Sequence, residues 1–321
     1  MVKDMFPDEK KLERLTSVLK MYYEEELSQM EIAKRIGVSR PMVSKMLAEA
    51  KSLNMVTITI NEVKSMQQML SRKIEEKFNV HQVIVVKTDK LESAGVQEQI
   101  ALECFHVCQN GKIPFHRVGV GCGSMIGQLS EVIKSKEIQM NGYEGELFPL
   151  IGGFKASYRS YHTNELVRIF SEYTQLIAYY MYLPALVDSQ EEKELYKKTE
   201  LYSDIRNKWE NMNVALLNVS NLYSTPDLAT SIRFGNRLKE KHAVGRYLAY
   251  YYDIDGNFIE PERDNVMQTE IENVKRAKYV VGMCSDKTDA KSAIGALRTG
   301  VFTHMILTDV LAQNMLDSIN E

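Results

Sequence analysis

The chain has 321 residues, enough for two domains of which the larger can bury a substantial core. It contains 44% apolar and 26% charged residues and has a net charge of −3. This balance excludes a protein that binds nucleic acid through positive charge over its whole surface, so any DNA contact must come from a local basic face. The sequence contains no apolar run that spans a bilayer, no signal-peptide core and no disulfide-like cysteine spacing. We therefore expect a cytoplasmic protein without membrane association.

Three short helices and a strand are predicted in the first sixty residues. Apolar spacing predicts a helix over residues 9–24, and a second helix between a cap at Ser28 and a break at Gly37. A third helix begins at Ser39, and the alternation of residues 54–60 predicts a strand that would form a β-wing. This arrangement is typical of a winged helix-turn-helix domain over residues 1–60.

The segment LSQMEIAKRIGVSRPMVSKMLAEA carries the strongest functional signal. Ser28 and Glu31 have the spacing of a capping box, Ala33 is small where two helices must cross, and Gly37 suits a left-handed turn. The N-terminal end of such a second helix normally enters the DNA major groove. We assign Arg40 and Ser44 to base edges and the others chiefly to positioning. The candidate DNA-contacting residues are Ser28, Gln29, Ser39, Arg40, Pro41, Ser44 and Lys45.

Two further regions follow the predicted DNA-binding domain. The spacing of apolar residues over 61–79 predicts a linker helix, which either packs on its own domain or forms a dimer interface. From residue 80 to 321, short apolar runs alternate with helical stretches, a pattern that predicts an α/β domain around a mostly parallel sheet. The predicted strands lie at 83–86, 117–121, 147–153, 214–219, 279–283 and 304–309, and the predicted helices at 92–109, 124–135, 162–178, 190–209 and 287–299.

The order of several sequence blocks resembles that of the SorC family of sugar-responsive transcriptional regulators. These blocks are the helix-turn-helix segment, EEKFNVHQVIVV, RVGVGCGSMIGQL, FPLIGG, YLPALV, AVGRYLAYYYDIDGNF and VVGMCSDKTDAKSAIGALRTGVFTHMILTD. The resemblance implies a Rossmann-type effector domain like that of sugar-phosphate isomerases and deaminases, and a homodimer or tetramer. It also implies an operator, here expected to be partly palindromic double-stranded DNA, whose binding a phosphorylated sugar controls.

The glycine-rich turns point to an effector site at one edge of the sheet. Gly119, Gly121 and Gly123 follow a strand and open a helix, where free backbone N–H groups form an anion cradle. Gly152 and Gly153 form a second turn near the same edge, and the resemblance adds Asn164. The candidate effector-binding residues are Gly121, Gly123, Ser124, Gly152, Gly153, Asn164, Arg246, Asp253, Asp286 and Asp289.

Differences from the family pattern concentrate at this expected site. Met125 stands where the family has a threonine, and Asp289 stands where it has a lysine. Arg246 replaces an acidic residue, and Asn218-Val219-Ser220 replaces Gly-Ile-Gly. The domain therefore either recognises a different small molecule or no longer senses a sugar phosphate. Arg246 could bind a carboxylate or phosphate in a bidentate manner.

Other chemistries are less well supported by the sequence. Cys104 and Cys108 share a helix face and are predicted to be buried thiols, and no metal site or cofactor is expected. An enzyme of the isomerase or deaminase type is one alternative, with Asp253, Asp255, Asp286 and Asp289 as carboxylates by residue type only. A DNA-binding regulator controlled by a protein partner is the other alternative.

Overall fold

The computed structural model describes residues 9–53, 55–56, 65–89, 91–109, 113–138, 144–153, 162–222 and 228–320. Contacts divide the chain into two compact units, Met1–Val63 and Lys64–Glu321. Most of the wing predicted at 54–60 lies outside the described residues. Among the described residues no helix combines the length and apolar character needed to cross a membrane.

The first unit contains the three predicted helices, α1 (Glu9–Tyr23), α2 (Gln29–Ile36) and α3 (Arg40–Ser52). They pack around a small apolar core, to which all three contribute. Met30 of α2, although apolar, does not belong to this core, because its side chain is 57% exposed. Met30 lies about 200° around α2 from the fully buried Ile32, so the two side chains point to opposite faces. The core residues are Val18, Met21, Ile32, Ala33 and Val43.

The second unit begins with α4 (Met66–Phe78), the helix predicted as a linker. Ser65 caps it, with a reciprocal hydrogen bond to Gln68. Its buried residues Leu70 and Ile74 belong to the core of the second unit, so this helix packs on its own domain.

A largely parallel sheet forms the centre of the second unit. Its seven main strands pair in the order β1-β9-β8-β5-β2-β3-β4, and every pairing among them is parallel. The strands are β1 (Gln82–Val86), β2 (Arg117–Val120), β3 (Glu146–Pro149), β4 (Ile177–Ala178), β5 (Val214–Asn221), β6 (Gly245–Tyr247), β7 (Tyr250–Tyr252), β8 (Tyr279–Cys284) and β9 (His304–Thr308). The antiparallel β6–β7 hairpin extends from the end of β5.

Helices cover both faces of this sheet. Successive residues of β5 alternate between two apolar clusters, with Val214 and Leu216 in one and Ala215 and Leu217 in the other. Burial on both faces explains why the strand reads as a continuous apolar run. The helices are α5 (Ser93–Gln109), α6 (Ser124–Ser135), α7 (Thr163–Thr174), α8 (Gln190–Lys197), α9 (Glu200–Glu210), α10 (Leu228–Phe234), α11 (Arg237–Glu240), α12 (Ile271–Arg276), α13 (Ala290–Arg298) and α14 (Asp309–Asn320).

Three predicted helices have different bounds in the structure. The helix predicted at 162–178 ends at Thr174, because Gln175 adopts a left-handed conformation (φ 63°) before the short edge strand β4. The helix predicted at 190–209 is two helices, since Thr199 caps a new one. The helix predicted at 287–299 begins only after Asp289, whose carboxylate accepts from the Ser292 amide.

A buried histidine on β9 makes the stability of the second unit sensitive to acid. His304 is only 3% exposed, its Nδ1 lies 2.8 Å from the Thr303 hydroxyl, and the His81 ring packs 5.2 Å away. Burial, together with the nearby His81 charge, lowers the pKa of His304 from 6.5 to about 4. The unfolded chain therefore takes up this proton at a higher pH than the folded chain does.

We expect this histidine to contribute to a loss of stability between pH 6.5 and pH 4. As the pH falls through that window, only the unfolded state gains the proton, so the unfolding free energy decreases. The expected loss is about 1–2 kcal/mol after allowance for partial screening. Urea unfolding at several pH values should give a shallower pH dependence for His304→Gln than for the wild type. Equal slopes for the two proteins would contradict the assignment.

Candidate DNA-binding motif and effector cavity

The turn between α2 and α3 has the geometry that the sequence predicts. The Ser28 hydroxyl accepts from the Glu31 amide at 3.3 Å, and the Glu31 carboxylate accepts from the Ser28 amide at 2.8 Å. Hydrogen bonds from Ser28 lower the pKa of Glu31. Gly37 ends α2 with φ 69°, and its amide donates to the Ala33 carbonyl. The capping box therefore fixes the start of α2, and the Gly37 turn sets the direction in which the chain enters α3.

The outer face of α3 carries the predicted DNA-contacting side chains. Four of these residues are exposed on α3 itself: Arg40, Pro41, Ser44 and Lys45. Elsewhere in the motif, Ser28 and Ser39 are also exposed, and Gln29 is half-buried. The Ser39 side chain makes no hydrogen bond to the α3 amides. Because Val43 points directly into the core, Pro41 and Lys45 lie near the centre of the outer face. Met42, which the sequence analysis did not name as a DNA-contacting residue, is 48% exposed on the same helix.

Ion pairs engage two of the acidic residues around this motif. Glu25 bridges Arg35 at 2.6 Å, and Glu49 bridges Lys11 at 2.5 Å. Neither pair includes Arg40 or Lys45, so the leading end of α3 keeps its cations exposed.

A cavity of about 460 Å³ opens at the carboxyl ends of β2 and β5 in the second unit. This is the edge at which open α/β sheets bind ligands, and the volume suits a small molecule. Its walls are the N-terminus of α6, the end of β5, the β6–β7 hairpin and α10. The lining residues are Cys122, Gly123, Ser124, Ile151, Ala185, Leu186, Asn218, Ser220, Ala229, Thr230, Arg233, Arg246, Tyr247, Leu248, Ala249, Tyr251 and Val266.

A row of polar side chains runs along one wall of the cavity. The Asn218 Oδ1 accepts from the Met125 amide at 2.8 Å and lies 3.4 Å from the Ser124 hydroxyl. The Asn218 Nδ2 donates to the Ser220 hydroxyl at 2.6 Å, and Ser220 pairs with Arg246 across β5 and β6. Asn218 therefore connects the α6 N-terminus to the arginine side of the cavity.

Two arginines lie beside the hairpin turn. Arg246 Nη1 donates to the Leu248 carbonyl at 3.3 Å, and Arg233 donates to the Ala249 carbonyl at 3.4 and 3.5 Å. Among the described residues that line the cavity, none is acidic. Burial raises the pKa of the Cys122 thiol, with a smaller opposite effect from the Arg246 charge. The cavity thus combines two fixed cations with hydroxyl donors and a neutral thiol.

The cavity contains three of the predicted effector residues, Gly123, Ser124 and Arg246. Three predicted glycines lie outside its lining and serve close backbone packing. A Cβ at Gly121 would approach the Leu216 carbonyl to 2.8 Å, and one at Gly152 would approach the Pro184 carbonyl to 2.4 Å. Gly153 donates its amide to the Leu183 carbonyl.

The other predicted effector residues also lie outside the lining, in structural hydrogen bonds. The Asn164 amide exchanges two hydrogen bonds with the backbone of Met181, at 3.0 and 3.1 Å. Asp253 accepts from the backbone amides of a tight turn, Asp289 caps α13, and Asp286 accepts from Gln97 at 2.9 Å. The carboxylates of these three aspartates are therefore engaged in hydrogen bonds within the fold.

Two residues central to the cavity were missed as ligand candidates. Asn218 was noted only as a difference from the family, although the register of β5 beside β2 places it next to the Gly123 turn. Arg233 is 5% exposed on α10, and nothing in its sequence neighbourhood singles it out. Cys104 and Cys108, by contrast, are buried thiols outside any disulfide, as predicted.

Family models match both units of the chain. Residues 63–317 match the family described as "Putative sugar-binding domain", and residues 13–51 match "Sigma-70, region 4". A helical DNA-reading unit joined to a parallel α/β unit with a small-molecule cavity defines the class of effector-controlled transcriptional regulators. The chain belongs to the SorC family of regulators with a sugar-binding domain, which confirms the resemblance seen in the sequence.

Individual relatives match over nearly the whole length. The deoxyribonucleoside regulator of Bacillus subtilis (strain 168) is 25% identical over 313 residues, covering 94% of this chain and 96% of the relative. The sorbitol operon regulator of Klebsiella pneumoniae is 21% identical over 305 residues, covering 92% of this chain and 94% of the relative. The crystal structure of the full-length sorbitol operon regulator SorC from that organism superposes with a TM-score of 0.68 at 20% identity, covering 97% of this chain and all of that one.

Proposed function

We propose that this regulator reads a partly palindromic operator with the outer face of α3, and that a ligand in the 460 Å³ cavity changes its affinity for that operator. The observation that carries the proposal is the exposed leading end of α3, which follows α2 directly across the left-handed Gly37 turn. Arg40 and Ser44 contact base edges, while Ser28, Ser39 and Lys45 contact phosphates. Gln29 and Pro41 lie in the same DNA-facing surface.

Association of several copies would strengthen this binding. The first sixty residues carry ten basic and nine acidic side chains, so one DNA-reading unit contributes few phosphate contacts. A homodimer or tetramer in the cytoplasm adds a second set of contacts and matches a palindromic site. Ligand binding then acts by favouring one arrangement of the DNA-reading units over another.

Sensing, and not turnover, is the proposed role of the cavity. Its lining offers hydroxyls and arginines but no carboxylate or histidine among the described residues, whereas sugar isomerisation needs a positioned base. The four carboxylates considered for an enzyme lie outside the lining. Asp253, Asp286 and Asp289 accept hydrogen bonds within the fold, and Asp255 lies 3.6 Å from Arg298. Control by a protein partner remains the alternative that a ligand-binding assay distinguishes.

Replacing Arg40 by alanine should weaken specific DNA binding. Loss of a bidentate contact to one base should cost about 1–3 kcal/mol and relax the sequence preference at one base pair of each half-site. The measurement is binding of the purified chain to an operator fragment and to variants randomised at each position.

The control for this change is Arg14→Ala, which removes the same charge from an exposed position on α1. Arg14→Ala should weaken binding to all DNA sequences equally, by less than Arg40→Ala weakens binding to the operator. It should leave the sequence preference intact. Should Arg40→Ala and Arg14→Ala behave alike, the assignment of Arg40 to a base edge is wrong.

A further inference from the structure

The N-terminus of α6 is occupied by a side chain of the protein itself. Helix N-termini of this kind bind anions through backbone N–H groups, and the Gly123–Ser124 turn has the required form. Here the Asn218 Oδ1 accepts from the Met125 amide at 2.8 Å, the place that an oxygen of a bound anion would take. Asn218 is also fixed from its other end, where its Nδ2 donates to Ser220.

Packing around Gly123 reinforces this arrangement. A Cβ at Gly123 would lie 2.8–2.9 Å from the Asn218 side chain, so the amide of Asn218 rests directly against the glycine turn. Met125 cannot replace the lost amide donor, because its thioether side chain has no hydroxyl and is fully buried in the core. The turn therefore keeps the backbone shape of an anion cradle while its central donor is already satisfied.

The two arginines of the cavity lie beside the β6–β7 hairpin turn. Arg246 pairs with Ser220 across the sheet, and Arg233 lies at the next carbonyl of the hairpin turn. The remaining walls are largely apolar, from Ile151, Leu186 and Val266. Such a lining fits an anionic group at the arginines together with an apolar body, since guanidinium groups bind carboxylates through paired hydrogen bonds.

Building on the proposed effector role of this cavity, we propose that Asn218 acts as a built-in cap of the α6 cradle and that the ligand is an organic anion with an apolar body, held by Arg246 and Arg233. The carboxylate or phosphate of the ligand binds at the arginine side. A polar sugar phosphate seated on the glycine turn is disfavoured, because its oxygens would have to displace Asn218.

The test compares two kinds of anion on four forms of the full chain. The probes are glucose 6-phosphate and the monocarboxylates benzoate, phenylacetate and cinnamate, with sodium chloride at equal ionic strength as the blank. The proteins are the wild type, Asn218→Gly, Arg246→Gln and the control Arg237→Gln, which removes an arginine from α11 outside the cavity lining. The readout is the thermal unfolding temperature over a concentration series, from which a dissociation constant follows.

We expect at least one monocarboxylate to stabilise the wild type and Arg237→Gln to the same extent. The affinity of Arg246→Gln for that monocarboxylate should be at least tenfold weaker than the affinity of the wild type. Glucose 6-phosphate should bind Asn218→Gly at least tenfold more tightly than the wild type. If Asn218→Gly does not fold, Asn218→Ser, which shortens the cap, replaces it in the same comparison.

Three results would overturn the inference: no stabilisation by any monocarboxylate, equal carboxylate affinity in Arg246→Gln, or glucose 6-phosphate binding that does not depend on Asn218. These outcomes concern the ligand alone. Operator binding by the ligand-free wild type, measured in parallel, reports on the DNA-reading role. If glucose 6-phosphate binds the wild type tightly and changes operator binding, the proposed function stands and this inference fails.

Discussion

Replacing Trp209 by alanine is expected to destabilise the second unit by about 3–5 kcal/mol, the range for a buried large aromatic residue. Trp209 on α9 is 1% exposed and packs edge-to-face on Tyr202 at 6.0 Å. Its indole N–H donates to the Pro149 carbonyl at 2.9 Å, at the end of β3. The substitution therefore leaves both a void and an unpaired carbonyl.

Urea unfolding followed by far-UV circular dichroism measures this effect. The control is Trp209→Phe, which keeps most of the buried area and loses mainly the hydrogen bond, so it should cost about 1–2 kcal/mol. A loss below about 1 kcal/mol for Trp209→Ala would contradict the described packing of α9 on β3.

Replacing Ile32 by alanine is expected to abolish DNA binding by unfolding the first unit. Ile32 is fully buried at the centre of the three-helix core, and truncation there costs about 2–5 kcal/mol. A unit of this size has a total stability of similar magnitude. The single tryptophan of the chain lies in the second unit, so its fluorescence should be unchanged by this substitution.

The matched control for Ile32→Ala is Met30→Ala on the same helix. Met30 is 57% exposed, so its truncation should leave the helical circular dichroism of the chain unchanged. Retention of operator affinity by Ile32→Ala would mean that this core does not support the DNA-reading surface. A large loss of helicity in Met30→Ala would show that the assignment of inner and outer faces is wrong.

The sequence predicted elements whose signal is local. The capping box at Ser28 and Glu31, the turn at Gly37 and the glycine turn that opens α6 were all visible, because each depends on a few adjacent residues. The six main apolar runs likewise predicted strands of the parallel sheet. The short edge strand β4 and the break at Thr199 were missed, since a left-handed Gln175 and a mid-run threonine cap have weak signatures.

The composition of the cavity depends on contacts between distant segments. Asn218 reaches the α6 N-terminus only because Leu216 pairs with Val120 in the sheet. Arg233 and Arg246 belong to different elements and converge only because both reach the hairpin turn after β6. Sequence analysis could name Arg246 as a departure from the family, but it could not predict which side chains would share one wall. Asp253 and Asp289, which it selected, accept hydrogen bonds from amides close to them in sequence instead, and Asp286 accepts from the distant Gln97.

The most direct test of the central claim is the selection of genomic DNA fragments by the purified full-length chain at low salt, followed by sequencing of the retained fragments. If the leading end of α3 reads base edges, a small set of fragments that share one partly palindromic sequence will be strongly enriched over the input. If the retained fragments have the same sequence distribution as the input at every protein concentration, α3 does not read DNA sequence and the account of this regulator is wrong.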